Sequence, residues 1–227
     1  MKTIIIVGGS KGIGNALVKN LLEQHKVINI SRTKPDISND NLVHYSCNVL
    51  EDELPDIEQA DGLIYCPGSI NLKPFQRLTL DDFQNDLNIN VLSAVKVLQK
   101  YMTALKNGNS PSVVLFSTVA AKLGMPFHAS IAAAKSAVEG LVKSLGAEWA
   151  PSIRINAIAP TVTDTSLAAK LLRNDKMIDS IKERHPLKKI LQPEEVANMA
   201  EFLLSEKANS ISGQIFEIDC GIVSFKI

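Results

Sequence analysis

Val7-Gly8-Gly9-Ser10-Lys11-Gly12-Ile13-Gly14 follows directly on the apolar run Thr3–Val7 and opens a helical pattern, Gly14–Glu23. Glycines in such a turn let the chain bend tightly and let backbone approach a pyrophosphate, while the helix amino terminus offers unpaired N–H groups and partial positive charge. A glycine cluster alone is a weak signal. Here it has a strand before it and a helix after it, the context that a dinucleotide-binding turn requires. Gly8, Ser10, Lys11, Gly12, Ile13 and Gly14 are therefore candidate cofactor contacts.

Outward from that turn, short β-branched runs alternate with longer amphipathic segments. Strands are expected at Thr3–Val7, Val27–Ser31, Leu42–Cys47, Gly62–Cys66, Ser112–Ser117, Arg154–Ile158 and Gln214–Asp219. Helices are expected at Gly14–Glu23, Leu80–Leu105, Ala132–Trp149 and Pro193–Ser205. The strands are continuously apolar rather than alternating, which indicates a sheet covered on both faces. Strand–helix repetition with short links predicts an α/β fold with a doubly wound parallel sheet, a three-layer α/β/α Rossmann architecture. No repeat or Pro/Gly/Ser linker divides the chain, so residues 1–227 are expected to form a single domain. Asp164–Lys189 breaks the rhythm with a charged helical pattern. Placed beyond a strand's carboxyl end, residues 164–189 are expected to cap a substrate crevice, with a plain surface helical pair as the alternative.

The 227 residues are 45% hydrophobic and 21% charged with a formal net charge of zero. That composition fits a globular protein and gives no electrostatic footprint for nucleic acid or an anionic membrane. Cys47, Cys66 and Cys220 are odd in number and lack zinc spacing, so no metal site is expected and the thiols suit a reducing compartment. The opening apolar run is too short for a signal peptide, and no run approaches a membrane span. A cytoplasmic protein is the expectation.

The second strand ends Ile30-Ser31-Arg32-Thr33. An acidic residue at this distance from the glycine turn would hold the ribose 2′-hydroxyl of NAD. Arg32 instead suits a 2′-phosphate, which a guanidinium grips with a planar fork, and Lys11 adds a second cation. NADP is expected in preference to NAD, with Ser31 and Arg32 among its contacts.

These features together resemble the short-chain dehydrogenase/reductase family, along essentially the whole chain. Val7–Gly14 is similar to the family's T-G-x-x-x-G-x-G, with Val7 for threonine. Cys47-Asn48-Val49 stands where an Asp-Val pair meets the adenine, and Tyr65-Cys66-Pro67-Gly68 stands for N-N-A-G with only Gly68 unchanged. Asn90 matches the asparagine that orders a water relay, with Asn88 a rival for the alignment. Pro160-Thr161-Val162-Thr163-Asp164-Thr165 resembles P-G-x-x-x-T, which would set Pro160 and Thr165 at the nicotinamide carboxamide. Ser212-Gly213-Gln214 with Ile218-Asp219-Cys220-Gly221 resembles T-G-Q … D-G-G.

The resemblance departs at its chemical centre. The Y-x-x-x-K motif reads Ile131-Ala132-Ala133-Ala134-Lys135, and the family serine falls 13 residues before, on Thr118, or with a shift on Ser117. In the family the tyrosine protonates the carbonyl oxygen, the lysine lowers the tyrosine pKa and holds the nicotinamide ribose, and the serine stabilises the oxyanion. Ile131 removes the acid and leaves every cofactor contact. General acid–base catalysis contributes about 10²–10⁴-fold, so hydride transfer without it is slowed rather than forbidden. His128 lies three residues before Ile131 and is either a substitute acid or a polar pocket or capping residue.

The resemblance implies an NADP-dependent oxidoreductase moving hydride between nicotinamide and a small carbonyl or alcohol substrate. Its atypical relay would draw on Asn90, Thr118 or Ser117, Lys135 and His128. A catalytically silent NADP-binding regulator or sensor is the alternative. The helices Leu80–Leu105 and Ala132–Trp149 resemble those that pair subunits in the family, which implies a homodimer or homotetramer.

Overall fold

The computed structural model describes residues 1–224. Seven strands form one wholly parallel sheet: β1 (Thr3–Val7), β2 (Lys26–Ser31), β3 (Leu42–Ser46), β4 (Gly62–Tyr65), β5 (Ser112–Phe116), β6 (Arg154–Pro160) and β7 (Ile215–Ile218). Their order is β3-β2-β1-β4-β5-β6-β7, so the winding reverses between β1 and β4. Ligands of open α/β sheets bind at such a switch point, beyond the strands' carboxyl ends.

Alternation along β1 sorts the core into two layers. Ile4 and Ile6 pack with α1 (Gly12–Leu22) and α6 (Pro193–Leu204), whereas Ile5 and Val7 pack with α3 (Ser93–Lys106) and α4 (Ala129–Trp149). The sheet is thus buried on both faces, which is why its central strands read as unbroken apolar runs. No described helix is long and apolar enough to cross a membrane.

The expected helix Leu80–Leu105 is not continuous. It consists of α2 (Leu80–Leu87), one π-helical turn at Asn88–Leu92, and then α3. The wide turn displaces carbonyls from the regular ladder, and side chains bind several carbonyls in this stretch. The Ser93 hydroxyl reaches both the Asn88 and Ile89 carbonyls (2.8 and 2.9 Å), and the Tyr65 hydroxyl donates to Ile89 O (2.7 Å). The Asp86 carbonyl receives Asn90 Nδ2 at 2.8 Å. Asn90 is buried, whereas its rival Asn88 stays with Gln84 on an exposed contact.

The segment 164–189 is less helical than its pattern. It holds a short 3₁₀ turn, Ser166–Ala168, and α5 (Asp175–Arg184). Thr161, which stands at a glycine position of the resembled motif, donates its hydroxyl to Nε2 of buried His185 (2.7 Å), and His185 Nδ1 donates to Ile181 O. This pair ties the end of α5 to the loop after β6.

Candidate active site

A crevice of about 510 Å³ opens at the switch point. Its floor is the glycine turn. Gly8 and Gly12 have φ of +83° and +53°, which L side chains rarely adopt. A Cβ on Gly14 would overlap the Gly8 carbonyl oxygen, so the start of α1 lies directly against the loop. Lys11, the N-cap of α1, makes no capping bond with its side chain, and no acid occupies the first turn. The helix therefore presents free N–H groups to the crevice, and these fit the diphosphate of a dinucleotide. Gly12 abuts Thr165, where an added Cβ would lie 3.0 Å from Cγ2.

At the far side of β1, Arg32 and Lys11 are exposed and both line the crevice; neither forms an ion pair among the described residues. Buried Ser31 donates to Thr33 O (2.8 Å) and receives Asn29 Nδ2, whose Oδ1 accepts from Gly9 N. Ser31 thus shapes the loop that carries Arg32, with its hydroxyl already engaged. Asn48 lines the crevice beside Val49, but its Nδ2 donates to Glu51 and its Oδ1 accepts from Leu50 N.

The other end is built from β4, β5 and α4. Lys135 is buried and donates Nζ to Phe116 O (2.8 Å). Burial pulls its pKa down to about 8, with neighbouring Cys66 and Asp86 opposing the shift. The Cys66 thiol is itself pushed up to about 12 by burial, with Lys135 working the other way. Ile131 and Thr118 also line the crevice, as do Gly68, Pro160, Thr165, Ser10 and Ile13. The Ser117 hydroxyl donates to Glu139 Oε1 at 2.6 Å, which engages it away from any ligand. The Thr118 hydroxyl only accepts a long 3.4 Å bond from Ala120 N and keeps its proton free.

His128 is the N-cap of α4. Its Nδ1 donates to Pro126 O (2.7 Å), which leaves Nε2 open at the crevice. Phe127, just before it, holds φ of +69°, a conformation that costs a non-glycine residue of order 1–3 kcal/mol and is common beside functional sites.

Asn90 does not line the crevice; it stands behind the wall. Its Nδ2 donates to Ser69 Oγ at 2.9 Å, and its Oδ1 is buried without a partner. Two residues that the sequence reading passed over complete this corner. Ser69 lines the crevice and donates to Asp86 Oδ1 at 2.5 Å, and Asp86 is only 2% exposed. The available signal was the Asp86–Asn90 spacing, which places both on one face of a helix.

The family model described as enoyl-(acyl carrier protein) reductase matches residues 6–223. Carbonyl reductase [NADPH] 2 of Sus scrofa is 28% identical, over 97% of this chain and 96% of that one. Among solved structures, the ligand-free aldohexose dehydrogenase of Thermoplasma acidophilum superposes with a TM-score of 0.90 at 26% identity, covering 99% of this chain and 95% of that one. ElxO with NADP bound superposes with a TM-score of 0.85, also at 26% identity, covering 99% and 100%. With a parallel sheet reversing at β1/β4, a glycine-floored crevice there, and likeness running the length of the sequence, this chain belongs to the short-chain dehydrogenase/reductase family.

Proposed function

We propose that the protein is an NADP-dependent oxidoreductase that transfers hydride between nicotinamide and a small carbonyl or alcohol substrate, through a proton relay that lacks the family tyrosine. The observation that carries this reading is the pairing of an uncapped α1 amino terminus with the unpaired Arg32 and Lys11 on one crevice. Gly8, Gly12 and Gly14 leave room for the diphosphate, and Arg32 with Lys11 would grip a 2′-phosphate. Asn48, Val49 and Gly68 border the space for the adenosine and ribose, and Pro160 and Thr165 that for the carboxamide. NADP would supply the hydride chemistry. A preference for NADP also agrees with the name of the porcine relative and with the nucleotide bound to ElxO.

The protein's own residues would divide the remaining work. Lys135 anchors the nicotinamide ribose, and the free Thr118 hydroxyl stabilises the substrate oxyanion, the role that Ser117 gives up to Glu139. His128, with Nε2 open, is placed to exchange a proton at the crevice mouth. Residues 164–189 act as the substrate cap: Thr165, Leu167, Ala168 and Leu171 already line the crevice. The chain is cytoplasmic and works as a homodimer or homotetramer through α3 and α4. On α4 the exposed Ala133, Ser136, Ala137 and Gly140 form a smooth face that would admit a second helix closely.

The test is a paired titration and turnover assay. NADPH should quench protein fluorescence at lower concentration than NADH, and NADPH should be consumed with phenanthrenequinone or with members of a ketone and aldehyde panel. Binding without consumption of NADPH against the entire panel would remove the oxidoreductase reading.

A further inference from the structure

The crevice changes character across the switch point. Arg32 and Lys11 stand on the β1–β2 side, whereas the loops after β4, β5 and β6 supply the other side. Those loops bring apolar side chains to the crevice: Ile70 and Leu72 after β4, Met125 after β5, Ile131 on the first turn of α4, and Leu167 and Leu171 after β6. The Phe127 carbonyl accepts from Lys73 N at 3.2 Å, which joins the first two loops into one wall. Ile70 and Leu167 are 40% and 50% exposed. Large apolar side chains left open around a concave site are the mark of an apolar ligand's place. The cap segment makes the same selection. Its cations Lys170 and Arg173 are exposed and do not line the crevice, while Leu167 and Leu171 do.

Polar groups on this side are few and mostly committed. Ser69 gives its proton to Asp86, Thr163 to the Thr161 carbonyl, and Thr165 to the Thr163 carbonyl. Ser166 also borders a second opening with Lys11 and Gly12, on the glycine-turn side. Thr118 and His128 Nε2 remain, enough for one oxygen. Among the described residues no carboxylate lines the crevice, and its lysines and arginine are Lys11, Arg32 and Lys135, the last buried and donating to Phe116 O. A substrate carboxylate would be desolvated on this wall without a partner, and the hydroxyls of a sugar would lie against hydrocarbon. Ile131, 5% exposed, adds a β-branched hydrocarbon contact to the wall.

We propose that the substrate is a neutral ketone or secondary alcohol whose single polar group is the reacting oxygen, and that it carries a hydrocarbon arm of several carbons along Ile70, Met125, Leu167 and Leu171. The proposal rests on the oxidoreductase reading above and narrows it: keto acids, hydroxy acids and sugars are rejected because this side of the crevice has nothing to pair with their extra polar groups.

The test uses the full chain and pairs turnover with binding. With NADPH, kcat/KM should rise about 10-fold from 2-butanone to 2-hexanone and again to 2-octanone, the worth of two buried methylenes at each step. The same ketone ending in a carboxylate, 7-oxooctanoate, should fall about 100-fold below 2-octanone. Leu167→Lys alters an exposed position, so the fold should hold. It should lower 2-octanone about 3- to 10-fold and raise 7-oxooctanoate by as much. A second readout needs no turnover. Calorimetric titration of the NADP⁺-saturated protein with propanamide, pentanamide and heptanamide, whose carboxamide is not reduced, should show the same steps in affinity. A level amide series, 7-oxooctanoate used as well as 2-octanone, or a wild-type preference in Leu167→Lys would overturn the proposal. NADPH consumption that is level across the ketones would overturn it too, while leaving the oxidoreductase reading in place. Amide steps without consumption of NADPH by any ketone would instead overturn the oxidoreductase reading and leave the apolar site standing.

Discussion

The two ends of the crevice are made from different material. The β1 end is backbone: two glycines at positive φ, a third with no room for a Cβ, and the bare first turn of α1. The β5–α4 end is side chain, assembled from Ser69, Asp86, Asn90, Thr118 and Lys135, which lie on separate segments. A phosphate is recognised by N–H groups that every residue carries, so the first end depends on shape and is specified locally. Proton chemistry depends on which side chains meet, so the groups at the second end can vary while the fold stays the same.

That contrast can be broken most severely at Gly14. Gly14→Val should abolish NADPH binding in a fluorescence titration and cost about 1–3 kcal/mol in denaturant unfolding, because the side chain overlaps the Gly8 carbonyl. Binding close to wild type would show that the loop yields and that its shape is not the determinant.

At the side-chain end, Lys135→Met should weaken NADPH by about 1.5–3 kcal/mol, roughly 10- to 100-fold. The pH dependence sharpens this. Burial holds the free Lys135 near 8. A bound nucleotide that accepts from the ammonium raises that value, so binding takes up a proton above pH 8 and affinity falls as pH rises through it. Lys135→Met should bind weakly and lose this limb. An identical limb in the variant would assign the titration to another group.

At the cap the expected effect is confined to stability and leaves nucleotide binding unchanged. Thr161→Val leaves His185 Nε2 buried without its donor, which should cost about 1–3 kcal/mol in unfolding free energy. A variant as stable as wild type would show that the tether of α5 contributes nothing.

The same contrast decides what could be read from the sequence. Strand positions and the glycine turn were legible to within a few residues, because burial on both faces and turn chemistry are local signals. The break in Leu80–Leu105 was not, since it depends on Tyr65 and Ser93 hydroxyls that bind displaced carbonyls. The bond from Ser117 to Glu139, 22 residues away, forms only through tertiary packing. Ser69 and Asp86 lie 17 residues apart and meet only after β4 and α2 have packed. Asn48 and Ser31 line the crevice, yet their side-chain bonds to Glu51 and Thr33 are local detail that a motif does not carry.

The most direct test of the central claim, that the glycine turn with Arg32 and Lys11 cradles a phosphorylated dinucleotide, is calorimetric titration of NADPH and NADH into the wild type and Arg32→Ala. NADPH should bind the wild type about 10- to 100-fold more tightly than NADH, the worth of a charge-assisted pair at the 2′-phosphate, and the gap should close in the variant. No heat from either nucleotide at millimolar concentration, or equal affinities in the wild type, would contradict it.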